Sequence, residues 1–275
     1  MSTIEGFPFI GTGHIDDLTI YQRKGKVIAR YRHNSTSGHP RHSENQLRQR
    51  TRWANNIRLW NSFPRGFRPY FQGQRSGTSC YNTFMSYALQ AHPVYLTKQM
   101  AITGTCVLTD VMVSQGTLNE IRVIRDGSGP ITDIRLGGLT IDDHTTVQQL
   151  AKAIVRNNFN YRLGDRLRYY LAEQRLFFDD DTPMVVIDCY ELVLDTADSR
   201  PLHEAVGDCL GFAQRSGQLA ARYEVTGGMA WVHLRHNANG TLASTQRMIC
   251  HNDELMERYG SDEAFAAACE SYRRN

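Results

Sequence analysis

After about residue 105, the sequence consists of short runs of strand-forming residues separated by turn signals that contain Gly. The runs are Gly116–Arg125, Ile131–Leu136, Leu139–Ile141, Arg166–Phe177, Met184–Leu194, Cys209–Arg215, Gln218–Val225, Met229–His236 and Leu242–Cys250. The turn signals are Asp126-Gly127, Gly137-Gly138, Gly227-Gly228 and Asn239-Gly240. Several strands at this spacing are typical of antiparallel sheets packed as a sandwich. The pattern predicts a β-sandwich domain over residues 106–275.

Two helices are predicted within this β-rich half. Thr145-Thr146-Val147-Gln148 has the form of a capping box, and the apolar stripe that follows predicts an inserted helix at about residues 145–157. A second helix is predicted at about residues 261–273, because acidic residues stand in its first turn and basic residues in its last.

The N-terminal part has a different pattern, which begins with a β-hairpin. Leu18–Arg23 and the run from Lys26 flank a Lys24-Gly25 turn, and both flanks are rich in strand-forming residues. An isolated hairpin is marginally stable in water. We therefore expect this hairpin to lie against its own following helix or against a partner chain.

Two helices are predicted after the hairpin. Ser43-Glu44-Asn45-Gln46 is a capping box that opens a helix to about Asn61, and a second apolar stripe predicts a helix over residues 81–91. The predicted fold class is therefore α+β and mainly β. Residues 1–105 form a basic arm of hairpin and helices, and residues 106–275 form the sandwich.

Charge is unevenly distributed between these halves. Residues 1–105 hold 14 Lys and Arg against 4 Asp and Glu, whereas the remainder holds 17 against 24. The candidate partner-binding residues are Arg23, Lys24, Lys26, Arg30, Arg32, Arg48 and Arg52. Arginine together with aromatic residues suits nucleic acid. Arg50 and Arg58 point away from Arg48 and Arg52 on a helical wheel, so a protein partner, or the acidic half of a neighbouring copy, stays an open alternative.

Composition and targeting signals limit the class of protein. With 41% hydrophobic and 21% charged residues, the chain can bury a core and is not disordered by composition. It has no long apolar run, and residues 1–13 lack the features of a secretory signal, so we expect a cytoplasmic or virion-associated protein that does not bind membranes. Six cysteines without a CxxC pair are expected to be reduced and mostly buried.

The sequence contains no motif that identifies an enzyme. His39-Pro40-Arg41-His42 does not enforce the geometry of a metal site, and strand alternation separates His233 from His236. Cys250 is expected to be a core thiol, and the acidic clusters Asp142-Asp143 and Asp179–Asp181 are expected at solvated turns. We therefore predict a non-enzymatic protein without cofactor or metal.

Several segments resemble a family of uncharacterised proteins from Bacteroides and related bacteria, also found in phages and prophages. The matching segments are Leu18–Tyr31, Pro40-Arg41, Gln46–Arg50, Pro93–Gln99, Val113–Leu118, Gly164–Leu167, Trp231–His233 and Ser244–Arg247. The family usually has Asn-Pro-Arg-Thr where this chain has His39-Pro40-Arg41-His42.

The resemblance implies a hairpin-helix unit followed by a fibronectin-type-III-like or immunoglobulin-like sandwich, and it supplies no catalytic residues. Together with the residue patterns, it predicts a structural or adaptor protein of phage or mobile-element origin that mediates protein–protein assembly. The alternative is a nucleic-acid-binding protein that uses the basic hairpin and the Arg-rich helix.

Overall fold

The computed structural model describes most of the chain. The described residues are 2–3, 13–15, 18–23, 26–31, 43–74, 78–125, 129–177, 182–207, 211–222 and 224–273. They divide into two compact units, an N-terminal unit (Met1–Ser43) and a body (Glu44–Asn275).

The N-terminal unit contains a four-stranded antiparallel sheet. Its strands are β1 (Ser2–Thr3), β2 (Gly13–Ile15), β3 (Leu18–Arg23) and β4 (Lys26–Tyr31), arranged in the order β1-β4-β3-β2. In the central pair, Ile20 lies opposite Ala29 and Arg23 opposite Lys26, so the predicted hairpin is confirmed. Two further short strands extend the sheet on either side of it.

The body contains helices in its N-terminal, central and C-terminal parts. Its described helices are α1 (Glu44–Ser62), α2 (Cys80–Ala88), α3 (Lys98–Thr103), α4 (Val147–Asn157), α5 (Leu202–Val206), α6 (Asp253–Gly260) and α7 (Asp262–Arg273), with a 3-10 turn at Arg65–Phe67. The helices predicted from capping boxes and apolar stripes correspond to α1, α2, α4 and α7. The short helices α3, α5 and α6 were not predicted, because they are too short to show a periodic pattern.

The strands of the body form three sheets. They are β5 (Tyr70–Phe71), β6 (Met112–Gln115), β7 (Val123–Arg125), β8 (Pro130–Arg135), β9 (Arg166–Leu176), β10 (Pro183–Val193), β11 (Ala213–Arg215), β12 (Gln218–Ala220), β13 (Gly227–Asn237), β14 (Gly240–Ala243), β15 (Gln246–Arg247) and β16 (Ile249–His251). The central sheet has the order β10-β9-β13-β14, with β16 also paired to β13. The smaller sheets have the orders β11-β12-β8-β7 and β15-β6-β5.

The central sheet is covered on both faces. Along β13, Ala230 and Val232 belong to a core shared with α1 and α2, whereas Met229 and Trp231 belong to a second core shared with α4 and the four-stranded sheet. This position explains why β13 is buried continuously from Gly227 to Leu234 instead of in alternation. The α+β, largely antiparallel fold is confirmed, and its sheets are sandwich-like. The finer likeness to an immunoglobulin or fibronectin-type-III domain stays a prediction.

The two units meet in sequence at Ser43, and not at the boundary expected near residue 105. Residues 105–108 run through the interior of the body, with Val107 and Leu108 fully buried. The Asn55 side chain of α1 exchanges two hydrogen bonds with the backbone of Val107, at 2.9 and 2.8 Å. Gln174 of β9 accepts from the Leu108 amide at 2.9 Å. Domain boundaries fall in exposed linkers with few crossing contacts, and this segment is the opposite.

Local details differ from the sequence prediction at three positions. Leu139–Ile141 is not a strand, and of the strand expected at Gly116–Arg125 only Val123–Arg125 (β7) is observed, whereas β6 ends at Gln115. A Cβ on Gly116 would lie 2.2 Å from the Ala243 carbonyl oxygen, so Gly116 marks a close backbone crossing. Helix α4 is capped by Thr146 and Gln149, one residue later than predicted, because the Thr145 hydroxyl is bonded to Asp142 at 2.9 Å.

Candidate functional site

The arginines of α1 make contacts within the body. Arg52 donates to the Ala91 carbonyl at 2.9 Å, and burial is the main reason that its pKa is lowered. The Arg48 guanidinium lies 4.4 Å from the centre of the Phe265 ring, and its Nη1 donates to the Tyr95 hydroxyl at 3.3 Å. These two predicted partner-binding residues therefore help to attach α1 to neighbouring parts of the body.

The hairpin residues of the predicted site lie in the other unit. Strand alternation and register place Leu18, Ile20, Val27, Ala29 and Tyr31 on one face of the sheet, and Thr19, Tyr21, Ile28 and Arg30 on the other. Arg30 is exposed, and Tyr31 is 74% exposed. Arg23 and Lys26 are described only by their backbone, and Lys24 and Arg32 lie outside the described residues. The hairpin residues therefore belong to one unit, and Arg48 and Arg52 belong to the other.

The division into units also changes how the charge asymmetry is understood. Met1–Ser43 holds 6 of the 31 Lys and Arg residues and 3 of the 28 Asp and Glu residues, so the body holds 25 of each. The whole net charge of +3 thus belongs to the N-terminal unit.

A buried ionic network in the body was not predicted from the sequence. The Asp165 carboxylate, 1% exposed, accepts from His233 Nε2 at 2.8 Å and from Arg235 Nε and Nη2 at 2.7 Å each. The Arg162 amide donates to the same carboxylate at 2.8 Å. Burial acts to raise the pKa of Asp165, but the hydrogen bonds from Arg235 and His233 outweigh it and lower the pKa to about 2. The carboxylate is therefore ionised at neutral pH, and both of its oxygens accept hydrogen bonds.

His233 is held from several sides. Its backbone amide donates to Ser244 Oγ at 3.0 Å, and the Tyr161 ring stacks on its imidazole with the ring centres 4.4 Å apart. His236, in contrast, is exposed and contacts Thr241 Oγ1 at 2.7 Å, so the predicted separation of the two histidines is confirmed. Ser244 Oγ accepts from the backbone, and His233 contacts a carboxylate instead of a hydroxyl. The arrangement fixes the polypeptide around Asp165 and does not form a nucleophile–base pair.

A pocket of about 530 Å³ lies at the start of α6. Its lining includes His251, Asn252 and Glu254, and the Asn252 Oδ1 atom is buried without a hydrogen-bond partner. The separation of 3.9 Å between His251 Nδ1 and Glu224 Oε1 is too long for a hydrogen bond. Among the described residues, no carboxylate is hydrogen-bonded to the imidazole of this pocket.

The cysteines and acidic groups form no cluster of metal ligands in the described part of the chain. Cys106 and Cys269 are buried, as predicted, whereas Cys80, Cys189 and Cys250 are only partly buried. Burial raises the pKa of the Cys106 and Cys250 thiols to about 12, so both are protonated at neutral pH. Among the described residues, no three His, Cys, Asp or Glu side chains are grouped as metal ligands would be. His33, His39 and His42 lie outside those residues.

Comparisons with known proteins do not add a relative. No family model, no curated protein and no solved structure matches the chain. The resemblance to the Bacteroides and phage family therefore stays a prediction. No helix among the described residues combines the length and the apolar character needed to cross a membrane.

Proposed function

We propose that this chain is a non-enzymatic structural or adaptor protein whose N-terminal unit contacts a protein partner. The observation that carries the proposal is the charge division, because the N-terminal unit holds the full +3 while the body is balanced. A surplus of one sign on one unit favours an acidic partner surface and accelerates its encounter.

The construction of the sheet supports the same function. Among its described side chains, Ala29 is buried, whereas Leu18, Ile20, Val27 and Ile28 are only half-buried. A sheet with an apolar face requires a second layer against that face. A partner chain that supplies this layer would stabilise the N-terminal unit. The basic residues of the N-terminal unit would favour a partner with an acidic surface.

The alternative proposal is that the hairpin and α1 bind nucleic acid. The contacts of Arg48 and Arg52 within the body reduce the support for it, because two of the seven residues it requires are already engaged. An origin in a phage or mobile element, with association with the virion, is part of the main proposal and rests on the family resemblance. Capsid or tail genes beside this gene would support that origin.

Light scattering after size-exclusion chromatography, followed by affinity capture from the source cells, tests the assembly function. We expect the full chain to self-associate or to capture a defined protein, and we expect Arg30→Glu and Tyr31→Ser to weaken that association. Both side chains are exposed, so neither change removes core packing from the sheet. Arg65→Glu is the matched control, since Arg65 is an exposed arginine of the body.

A chain that is monomeric and captures nothing would contradict the proposal. So would a partner that binds equally well after deletion of residues 1–42, because the binding surface would then lie in the body.

A further inference from the structure

The loop between α4 and β9 exposes two large apolar side chains. Phe159 is 95% exposed and Leu163 is 55% exposed, although Tyr161 between them is buried. A phenylalanine ring that is this exposed has both faces open to solvent. Single exposed apolar residues are common, but two on one ordered loop indicate a surface for interaction.

Hydrogen bonds hold this loop along its length. Asn158 accepts from the Arg135 amide at 2.9 Å and donates to the Arg135 carbonyl at 2.7 Å, which joins the loop to β8. Arg235 donates to the Asn160 carbonyl at 2.8 Å, and the Arg162 amide donates to Asp165. The buried Asp165 network therefore fixes the backbone from which Phe159 projects. Such preorganisation reduces the entropy lost on binding.

Three arginines stand on the segments that flank Phe159, and one acidic residue, Asp133, lies on the same face of β8 as Arg135. Arg156 stands in the last turn of α4, Arg162 is in the loop, and Arg135 is attached to Asn158 through the backbone. All three side chains are exposed, and none forms an ion pair with another described residue. The acidic residue on the same strand as Arg135 is Asp133, whose Oδ1 accepts from the Arg122 amide.

We propose that this surface, the Phe159 patch (Phe159, Leu163, Arg135, Arg156 and Arg162), binds single-stranded nucleic acid. A base would stack on the open Phe159 ring, and the arginines would contact the phosphates on either side. Arginine suits phosphate because its guanidinium can donate two parallel hydrogen bonds. Aromatic stacking beside a cationic surface is the common mode of single-strand recognition.

Other partners fit the patch less well. Contact between two copies of the patch would bring six arginines together, and the body of a second copy carries no net negative charge. Membrane anchoring requires more apolar insertion than one ring and one leucine, because the loop returns to the body at Tyr161. The patch is also distinct from the basic hairpin of the N-terminal unit.

Fluorescence anisotropy of a fluorescein-labelled oligothymidine of about 20 nucleotides tests the proposal with the full chain. We expect binding at about 50 mM NaCl that weakens steeply as salt is added. Phe159→Leu keeps an apolar side chain but removes the ring, and we expect the affinity to fall about tenfold, while Phe159→Trp keeps it. Phe177→Leu is the matched control, because Phe177 is also exposed, at 53%, but precedes the acidic run Asp179–Asp181.

A charge series measures the phosphate contacts separately. Replacing Arg135, Arg156 and Arg162 together by Gln should reduce the slope of log affinity against log salt by about 2, since each phosphate contact to a single strand contributes about 0.7. The control removes the same charge from exposed residues elsewhere in the body, Arg65, Lys98 and Arg273. It should change the slope by much less.

Three results would overturn the proposal. They are the absence of oligonucleotide binding at low salt, equal affinities for Phe159→Leu and the unchanged chain, and equal slopes for the two triple variants. Vesicles of phosphatidylcholine and phosphatidylglycerol are the fourth arm. Vesicle binding that is lost in the triple Gln variant of the patch but kept in the control triple variant, without oligonucleotide binding, would assign the patch to a membrane instead.

Discussion

The N-terminal unit and the body both expose arginines, but the body also uses some of its arginines within its own packing. In the body, Arg52 and Arg235 donate to carbonyl or carboxylate oxygens of distant segments, and Arg48 packs over Phe265. In the N-terminal unit, Arg30 is exposed on a sheet in which Leu18, Ile20, Val27 and Ile28 are half-buried. The charge counted along a sequence is therefore not the charge available to a partner, because some charged side chains contact other parts of the same chain.

The largest expected effect concerns the buried ionic network of the body. Asp165→Ala leaves Arg235 and His233 without their carboxylate, and we expect the free energy of unfolding to fall by about 3–5 kcal/mol. Urea denaturation followed by circular dichroism measures this loss. Asp198→Ala is the control, because the partner of Asp198 is the exposed Arg200, and its unfolding midpoint should change much less. Similar midpoints for the two variants would show that the network does not stabilise the body.

The next effect concerns the interior segment at residues 105–108. Asn55→Ala removes two buried hydrogen bonds and leaves the Val107 amide and carbonyl without partners, so we expect a loss of about 3 kcal/mol. Asn61→Ala, at an exposed position of the same helix, should have little effect. If Asn55→Ala is as stable as Asn61→Ala, α1 is not tied to this segment, and the division at Ser43 would need revision.

The acid sensitivity of the body should depend on Asp165. Its pKa is lowered in the folded state from 3.8 to about 2, so the folded state binds this proton more weakly than the unfolded state. The stabilisation is complete above the unfolded pKa and is lost as pH falls from about 4 to about 2. Urea titrations across this range should show a shallower pH dependence for Asp165→Asn. An unchanged dependence would mean that other carboxylates cause the acid sensitivity.

The smallest effect should follow deletion of residues 1–42. The cores described above are formed by residues of the body, so we expect its free energy of unfolding to change by less than about 0.5 kcal/mol. The same urea measurement on the full and shortened chains checks this. A large loss of stability would contradict the description of the body as an independent unit.

The sequence predicted those elements whose signals are local. The hairpin, α1, α4 and the long strands β9, β10 and β13 were found because alternation, apolar stripes and capping boxes lie within a few residues. The boundary near residue 105 followed from a change in composition. Composition could not show that the Val107 backbone is hydrogen-bonded to the Asn55 side chain, since the two residues are 52 positions apart.

The two features on which the proposed Phe159 patch rests had weak signals in the sequence. Asp165 and His233 are 68 positions apart, and the Gly164-Asp165 turn gives no sign of a buried carboxylate. Phe159 stands in the polar run Asn157-Asn158-Phe159-Asn160, and an aromatic residue in such a connection was the available hint. Exposure is a property of the folded surface, so the sequence did not distinguish Phe159 from the buried Tyr161 two residues later.

The sequence by itself determined the type of most long elements, the hairpin at Leu18–Tyr31 and the net charge of +3. Only the tertiary structure decided where the chain divides into units, which arginines bond to other parts of the body and which aromatic ring is exposed. The physical reason is the range of the interactions. Periodicity and capping act over one or two turns, whereas burial and charge pairing depend on segments brought together from distant parts of the chain.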